Sequence, residues 1–413
     1  MCITLKQLKT IWFILLTFFM IYSPPILPIN VKHIIGIGSI FWIIINWRYY
    51  KYVLKNKTVK RVLVLFSLLP IYVFLIAVAN GEKLTIVSFY LYVCVDLLPF
   101  AIILSSYLSC FKENYIYKIV IICSAIEAIM VYLSFFNESI QMFFVGIMVE
   151  TYGDIFEKLS DKRMFGFADS LTFSSAVVQG VISWIYILWV RKKNIASVMF
   201  FLFILLSGVI NARTTIVAFF IGLMVYIIFA KRSLVEKMVI ISFGGGALAL
   251  IAYYCMLEFE DNLTMKWINE GINEIIDMTQ GDTSTGYFSY VTDLGNYLLP
   301  ANIEDRILGT GKRVFGGENM FFSSDIGFIN DIWIGGYFFT IMLFAVYEYV
   351  FFEMAKSEND IASFLGRFMM VLYPILDVKG QVYMISDITC MIIIVFMVDL
   401  GRKIYNGKNK TIN

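Results

Sequence analysis

The chain has 413 residues, 60% of them hydrophobic and 15% charged, with a mean hydropathy of +0.78. Soluble globular chains run at about 45–50% apolar and about 25% charged, so this balance excludes a water-soluble globular protein. The formal net charge of +2 says little by itself, and no nucleic acid is expected as a partner.

In chain order, apolar segments fall near 11–29, 31–47, 61–80, 84–108, 117–136, 171–190, 195–210, 214–230, 238–257, 328–352, 364–378 and 383–401. Several approach the ~20 residues that a helix needs to cross a bilayer core of about 30 Å. Backbone groups in lipid must bond internally, so the runs are expected to be helices. No small-residue cleavage site follows the first run, which reads as a retained span. The expectation is an all-α polytopic integral membrane protein of about twelve spans, a single domain over 1–413.

Lysine and arginine set the orientation. With both termini cytoplasmic, the outer side receives only Lys32, Lys83, Lys158, Lys162, Arg163, Arg213, Lys266, Arg306, Lys312, Arg313 and Lys379 of the 33 basic residues. Seven of these lie in two long outer loops, 137–170 and 258–326. Loops longer than about 12–15 residues are usually functional or disordered. Both are rich in apolar and aromatic residues. Within the second, TMKWINEGINEIIDM (264–278) has Met265, Ile268, Ile272, Ile275 and Ile276 at helical spacing, so an amphipathic helix on the outer surface is expected.

The six cysteines lack paired spacing, which suggests neither a disulfide framework nor a zinc site. His33, the single histidine, stands near an outer turn and reads as structural or incidental. No metal site is expected.

The candidate chemistry follows the outer basic residues. Arg163 lies in DKRMFGFADSLTFSSAVV, where Asp169 or Ser170 can cap the following helix. Arg213 lies in SGVINARTTIVAFFIG, between two spans with almost no loop. It either snorkels to headgroups or faces a cavity and binds an anion, aided by the helix N-terminus that Thr214 and Thr215 open. EDRILGTGKRVFGGEN (304–319) interleaves Arg306, Lys312 and Arg313 with Gly309, Gly311, Gly316 and Gly317. It is either a solvated basic turn or a place where backbone N–H groups and guanidinium forks grip phosphate oxygens. Its spacing is not that of a P-loop. SSDIGFINDIWIGGYFF (323–339) puts Asp325 and Asp331 at the mouth of a span, with Gly335 and Gly336 allowing close helix approach. Asp325 is either an N-cap or a general base. Asp96, Glu127, Glu348, Asp377 and Asp387 lie at or near membrane depth, where such residues mark a pathway or a pairing. The outer rings Tyr287 and Tyr290 are candidates for stacking on sugars.

The combination of Arg163–Gly166, Asn211-Ala212-Arg213-Thr214, Arg306 to Gly317 and Ser324-Asp325 through Gly335 resembles the Wzy-type polymerases of O-antigen and capsule repeat units, relatives of the O-antigen ligases. The resemblance covers the layout of nearly the whole chain and is architectural more than literal. It implies a GT-C-like fold in a bacterial cytoplasmic (inner) membrane. It also implies a glycosyltransferase that uses polyprenyl-diphosphate-linked oligosaccharides, with a chain-length regulator and a flippase as further partners. Arg163, Arg213, Arg306, Lys312 and Arg313 would hold the diphosphate, and Arg213, Arg306 and Asp325 would be catalytic, with Asp325 as base. Fixed positive charge there would stabilise the leaving group. No nucleotide sugar, cofactor or metal is implied. The ligase branch carries a histidine where this chain has Ser324-Asp325, which leaves the polymerase ahead.

A flippase or transporter of the same lipid-linked unit is the main rival, though such folds tend to show internal repeats, which this sequence lacks. A polyprenyl-phosphate-sugar transferase would be expected to carry an acidic pair in the first outer loop, and PPILPINVKH has none. A nonenzymatic membrane scaffold is the fourth reading. On the polymerase reading, replacing Arg213 or Arg306 by alanine is expected to abolish surface polymer while leaving the protein in the membrane. Lysine should rescue poorly, because paired phosphate contacts need the guanidinium fork; electrophoresis of surface glycan reads both.

Overall fold

The computed structural model describes residues 5–24, 30–109, 111, 115–152, 163–168, 173–190, 194–229, 237, 262–279, 289–290, 293–315 and 323–412. Among them every regular element is helical and no strand occurs. In chain order these are α1 (Leu5–Tyr22), α2 (Val31–Ile45), α3 (Trp47–Lys55), α4 (Lys57–Ala79), α5 (Thr85–Tyr92), a π-helical turn (Val93–Leu97) and α6 (Leu98–Leu108). There follow α7 (Tyr115–Phe136), α8 (Glu138–Tyr152), α9 (Ser174–Trp189), α10 (Ile195–Asn211), α11 (Thr214–Phe229) and α12 (Leu263–Thr279). The last are α13 (Ile303–Leu308), α14 (Gly327–Ala355), α15 (Asp360–Lys379) and α16 (Asp387–Ile412).

Helices overlie each expected apolar segment except 238–257, which lies outside the described residues. Among the described residues five stretches are long and apolar enough to cross a membrane: Lys57–Ala79, Thr85–Leu108, Tyr115–Phe136, Gly327–Ala355 and Asp360–Lys379. Shorter apolar helices include Val31–Ile45, Ser174–Trp189, Ile195–Asn211 and Thr214–Phe229. The faces of α4 show what such a helix is for. Val62, Phe66, Leu69 and Val73 are buried, while Val64, Leu68, Ile71, Leu75 and Val78 form an exposed apolar stripe. Such a stripe is a liability in water and ordinary against lipid.

The chain divides into two compact units, Met1–Val31 with Asn114–Gly286, and Lys32–Glu113 with Tyr287–Asn413. In the first, α9 packs on α7, α10 and α11, and α1 packs on α7. Small residues set the spacing: Gly180 faces Ala218 and Thr215, Gly208 faces Thr215, and Gly222 makes room for the buried Trp184 ring. Polar groups inside this bundle are paired across helices. Ser124 bonds Gln179, Asn211 Nδ2 donates to Ser175 Oγ at 3.2 Å, and Thr215 Oγ1 donates to the Ala176 carbonyl at 2.9 Å. The amphipathic helix expected at 264–278 is present as α12, capped by the Asn262 side chain. Its Met265, Trp267 and Ile268 are buried with Val131, Met164, Val209 and Ile210. Much of the 137–152 stretch, expected to be loop, is the helix α8.

In the second unit α14 packs on α15, α4 and α13, and α6 packs on α16. Rings of Tyr347, Tyr373, Tyr383 and Phe351 form its aromatic centre, with neighbouring ring centres 4.7 to 6.2 Å apart. The π-helical turn carries Asp96. α14 breaks at Gly336, whose φ of 71° and ψ of −178° only glycine adopts readily. The break leaves carbonyls exposed, and the glycine-rich turn fills it. Thr310 N–H donates to the Trp333 carbonyl at 2.8 Å and Gly311 N–H donates to the Ile334 carbonyl at 3.0 Å. Those two N–H groups, expected to face an anion, instead repair a broken span, and Gly316 and Gly317 lie outside the described residues.

Gly336→Ala forces an L side chain into that conformation and toward the Ile307 carbonyl. It should cost about 1–3 kcal/mol and lower the thermal midpoint of the detergent-solubilised protein.

Candidate functional site

Each unit holds an arginine-centred site. In the first unit, α10 ends at Asn211 and α11 begins at Thr214, so Arg213 occupies the sharp connection between them. Its side chain lies along one face of α12. The guanidinium stands 4.6 Å from the Trp267 ring centre, Nη1 reaches Glu274 Oε1 at 3.2 Å, and Gly271 between them supplies the room. Trp267, Gly271 and Glu274 recur at the i, i+4, i+7 spacing of one helical face. Arg163 arrives from the other side, its guanidinium 5.4 Å from the same indole. Burial pulls the Arg163 pKa down, and the neighbouring positive charge of Arg213 acts in the same sense. Two guanidinium groups thus share one ring, with Glu274 as the carboxylate beside Arg213.

Glu127 fixes the Arg163 segment. This buried α7 carboxylate accepts the backbone N–H of Phe167 at 3.2 Å and of Ala168 at 3.3 Å. Gly166, with φ of 60°, lets the chain turn tightly over it. Beside Arg163 lies a narrow, partly open cleft lined by Ser134, Gln141, Phe144, Met148 and Phe165. Asp169 and Ser170, the expected cap, and Lys158 and Lys162 lie outside the described residues.

The second unit separates the basic residues of 304–319. Arg306 Nε donates to the Pro300 carbonyl at 2.7 Å and ties down α13. Lys312 pairs with Glu82 at 3.2 Å on the surface. Arg313 is the one built into a site: its guanidinium stands 4.8 Å from the Phe89 ring centre and 4.8 Å from that of Phe315. Its Nε donates to Gln381 Oε1 at 2.6 Å. Gln381 in turn donates to Asp331 Oδ1 at 2.8 Å, and Tyr90 Oη donates to the same oxygen at 3.2 Å. Burial lowers the Arg313 pKa, while Tyr90 and Asp331 push it back up. The neighbouring Val314 is fully buried, donates to Asn330 Oδ1 at 3.1 Å and accepts the Ser324 N–H at 3.2 Å, which fixes the backbone under Arg313.

Asp325 is exposed; its backbone N–H donates to Tyr290 Oη at 2.7 Å. It does not cap α14, whose N-cap is Ile326. Partial desolvation raises its pKa, against the lowering pull of Lys379. Tyr290 therefore serves the loop, and Tyr287 lies outside the described residues. Trp267, Gln381 and Phe89 are site residues that sequence reasoning passes over. Trp267 had a visible signal, an indole within the apolar stripe of an outer amphipathic helix. Gln381 had none, being a neutral residue after a span. Among the described residues no group of three or more histidine, cysteine, aspartate or glutamate side chains could hold a metal ion.

Compared with family models and with curated proteins, the sequence matches none.

Glu127→Ala leaves the Phe167 and Ala168 N–H groups without their acceptor, at a cost of about 1–3 kcal/mol. Trypsin cleavage after Arg163 is expected to speed up about tenfold or more. Glu127→Gln, which keeps an acceptor oxygen, should fall between Glu127→Ala and the parent protein.

Proposed function

We propose that this chain is a polymerase that joins polyprenyl-diphosphate-linked oligosaccharide repeat units at the outer face of a bacterial cytoplasmic membrane. The reading takes the chain as about twelve spans with both termini cytoplasmic and the two long loops outside. The observation that carries it is the convergence of Arg163 and Arg213 on Trp267, next to an apolar cleft. A polyprenyl diphosphate is an anion attached to an isoprene chain. Guanidinium groups suit its oxygens, and Phe144, Met148 and Phe165 suit the first apolar unit beyond them. The reaction uses two such diphosphates, the donor's and the acceptor's, and the pair on Trp267 would hold the acceptor's. Arg313, held by rings and a neutral amide, would meet the donor's diphosphate, on which negative charge grows as the glycosidic bond breaks. Arg306 is engaged by the Pro300 carbonyl and Lys312 by Glu82 on the surface, whereas Arg213 keeps the Trp267 ring beside its own partner Glu274.

A transporter of the same lipid-linked unit is the second reading. The break of α14 at Gly336 and the buried Asp331 and Asp377 favour it, since broken helices and intramembrane acids are common in transporters.

Deletion of the gene in its own host separates the two. A polymerase deletion leaves surface glycan stalled at one repeat unit, restored to long chains by the intact gene. A transporter deletion removes surface repeat units and traps lipid-linked units inside. With the deletion complemented by Trp267→Ala, chain growth is expected to drop about tenfold or more while one-unit glycan persists, because the ring that holds both guanidinium groups is gone. Normal chains from Trp267→Ala would remove the arginine pair from the mechanism.

A further inference from the structure

A lone histidine reads as incidental in the sequence, yet the structure gives His33 a defined setting in the second unit. It stands in the first turn of α2, with Nδ1 2.5 Å from Asp96 Oδ2, and Asp96 is almost completely buried in the π-helical turn. Its ring packs against Tyr92, centre to centre at 4.0 Å, and about a quarter of the side chain remains open. π-Helical turns inside α-helices are frequent at functional sites. With Nδ1–H donated to the carboxylate, Nε2 carries the lone pair and becomes the basic nitrogen. Charged and titratable groups around it are Lys32 on α2, Tyr92 on α5, Asp96 in the π turn, and Asp387 and Cys390 on α16. Lys32 Nζ lies 3.4 Å from Asp387 Oδ1.

The placement relative to Arg313 gives this pair its meaning. Arg313 rests on Phe89 and His33 rests on Tyr92. Phe89 and Tyr92 are three residues apart on α5, so they are neighbours on one face, and both are partly exposed. The 381–387 segment runs along the same strip: Gln381 holds Arg313, Ile385 N–H donates to the Phe89 carbonyl at 3.1 Å, and Asp387 holds Lys32. A guanidinium suited to a diphosphate and a carboxylate-backed imidazole therefore stand one helical turn apart on the same surface.

We propose that His33, oriented by Asp96, is the proton acceptor for the incoming sugar hydroxyl at the site marked by Arg313, a proposal that rests on the polymerase reading above. The acceptor hydroxyl passes its proton to His33 Nε2 as its oxygen bonds the anomeric carbon of the donor. The bond between that carbon and the diphosphate oxygen breaks, and the electron pair leaves with the polyprenyl diphosphate, whose charge Arg313 meets. The imidazolium then releases the proton to water. Asp96 is a positioning residue that sets the tautomer and stabilises the imidazolium. The role expected of Asp325 passes to His33.

The test uses membrane vesicles from the deletion strain complemented with each variant, fed lipid-linked repeat units extracted from that strain. His33→Ala is expected to slow chain growth by about a hundredfold or more, and imidazole in the buffer is expected to restore it in part. His33→Gln keeps a donor for Asp96 and should be as inactive. Asp96→Asn should retain more activity than either but with an altered pH profile. Imidazole rescue and the pH profile are readouts that a structural role would not move. Long chains from His33→Gln, or no effect of imidazole on His33→Ala, overturn this proposal while the polymerase reading stands. No chain growth from vesicles carrying the parent protein overturns both.

Discussion

A carboxylate inside an apolar helix loses its water, and the protein must return what solvation is lost. The architecture turns on that constraint. Glu127 takes the backbone N–H groups of Phe167 and Ala168, Asp331 takes Gln381 and Tyr90, and Asp377 takes the Val382 N–H. Asp96 takes His33, Asp387 takes Lys32, and Asp399 takes Ser357 and Lys403. Each acid sits on a helix; the partners of Glu127, Asp331, Asp96 and Asp387 are distant in sequence, that of Asp377 is five residues on, and Asp399 binds one distant and one local group. Glu127 thus pins the segment that carries Arg163, and Asp331 steadies Arg313 through Gln381.

The arginines follow a complementary rule. A guanidinium fully neutralised by carboxylates has little attraction left for a ligand, whereas one braced by rings keeps its charge and its orientation. Arg163 and Arg213 share the Trp267 ring, and Arg313 stands between Phe89 and Phe315. Arg306 is held by a carbonyl and Lys312 by Glu82, while Arg213 has Glu274 in addition to its ring. Residues that look equivalent in a basic run have therefore separated: Arg306 and Lys312 tie the loop down, and Arg313 lies against two rings.

Glycine serves two distinct purposes. At Gly180, Gly208 and Gly222 it lets helices of the first unit approach closely. At Gly336 it breaks a span, and Thr310 and Gly311 close the break with backbone bonds. That repair places residues 309–311 against α14, and the chain runs on directly to Arg313. A broken helix and a basic loop are thus parts of one construction rather than separate features.

The helical membrane character was determined by the sequence alone, because hydropathy is a local property and lipid admits few backbone solutions. So was α12, whose apolar residues recur at helical spacing, and so was the tight connection at Arg213. Asp331 at the mouth of a span and the buried depth of Asp96 and Glu127 were also legible. Tertiary structure decided which cations converge, because Arg163 and Trp267 are brought together only when α7, α10 and α12 pack. It decided that the glycines of 309–311 mend a helix instead of cradling an anion, since the break they fill lies more than twenty residues further on. It also turned His33 from an isolated residue into half of a pair, because the carboxylate that orients it lies on another helix and spacing along the chain carries no trace of that contact.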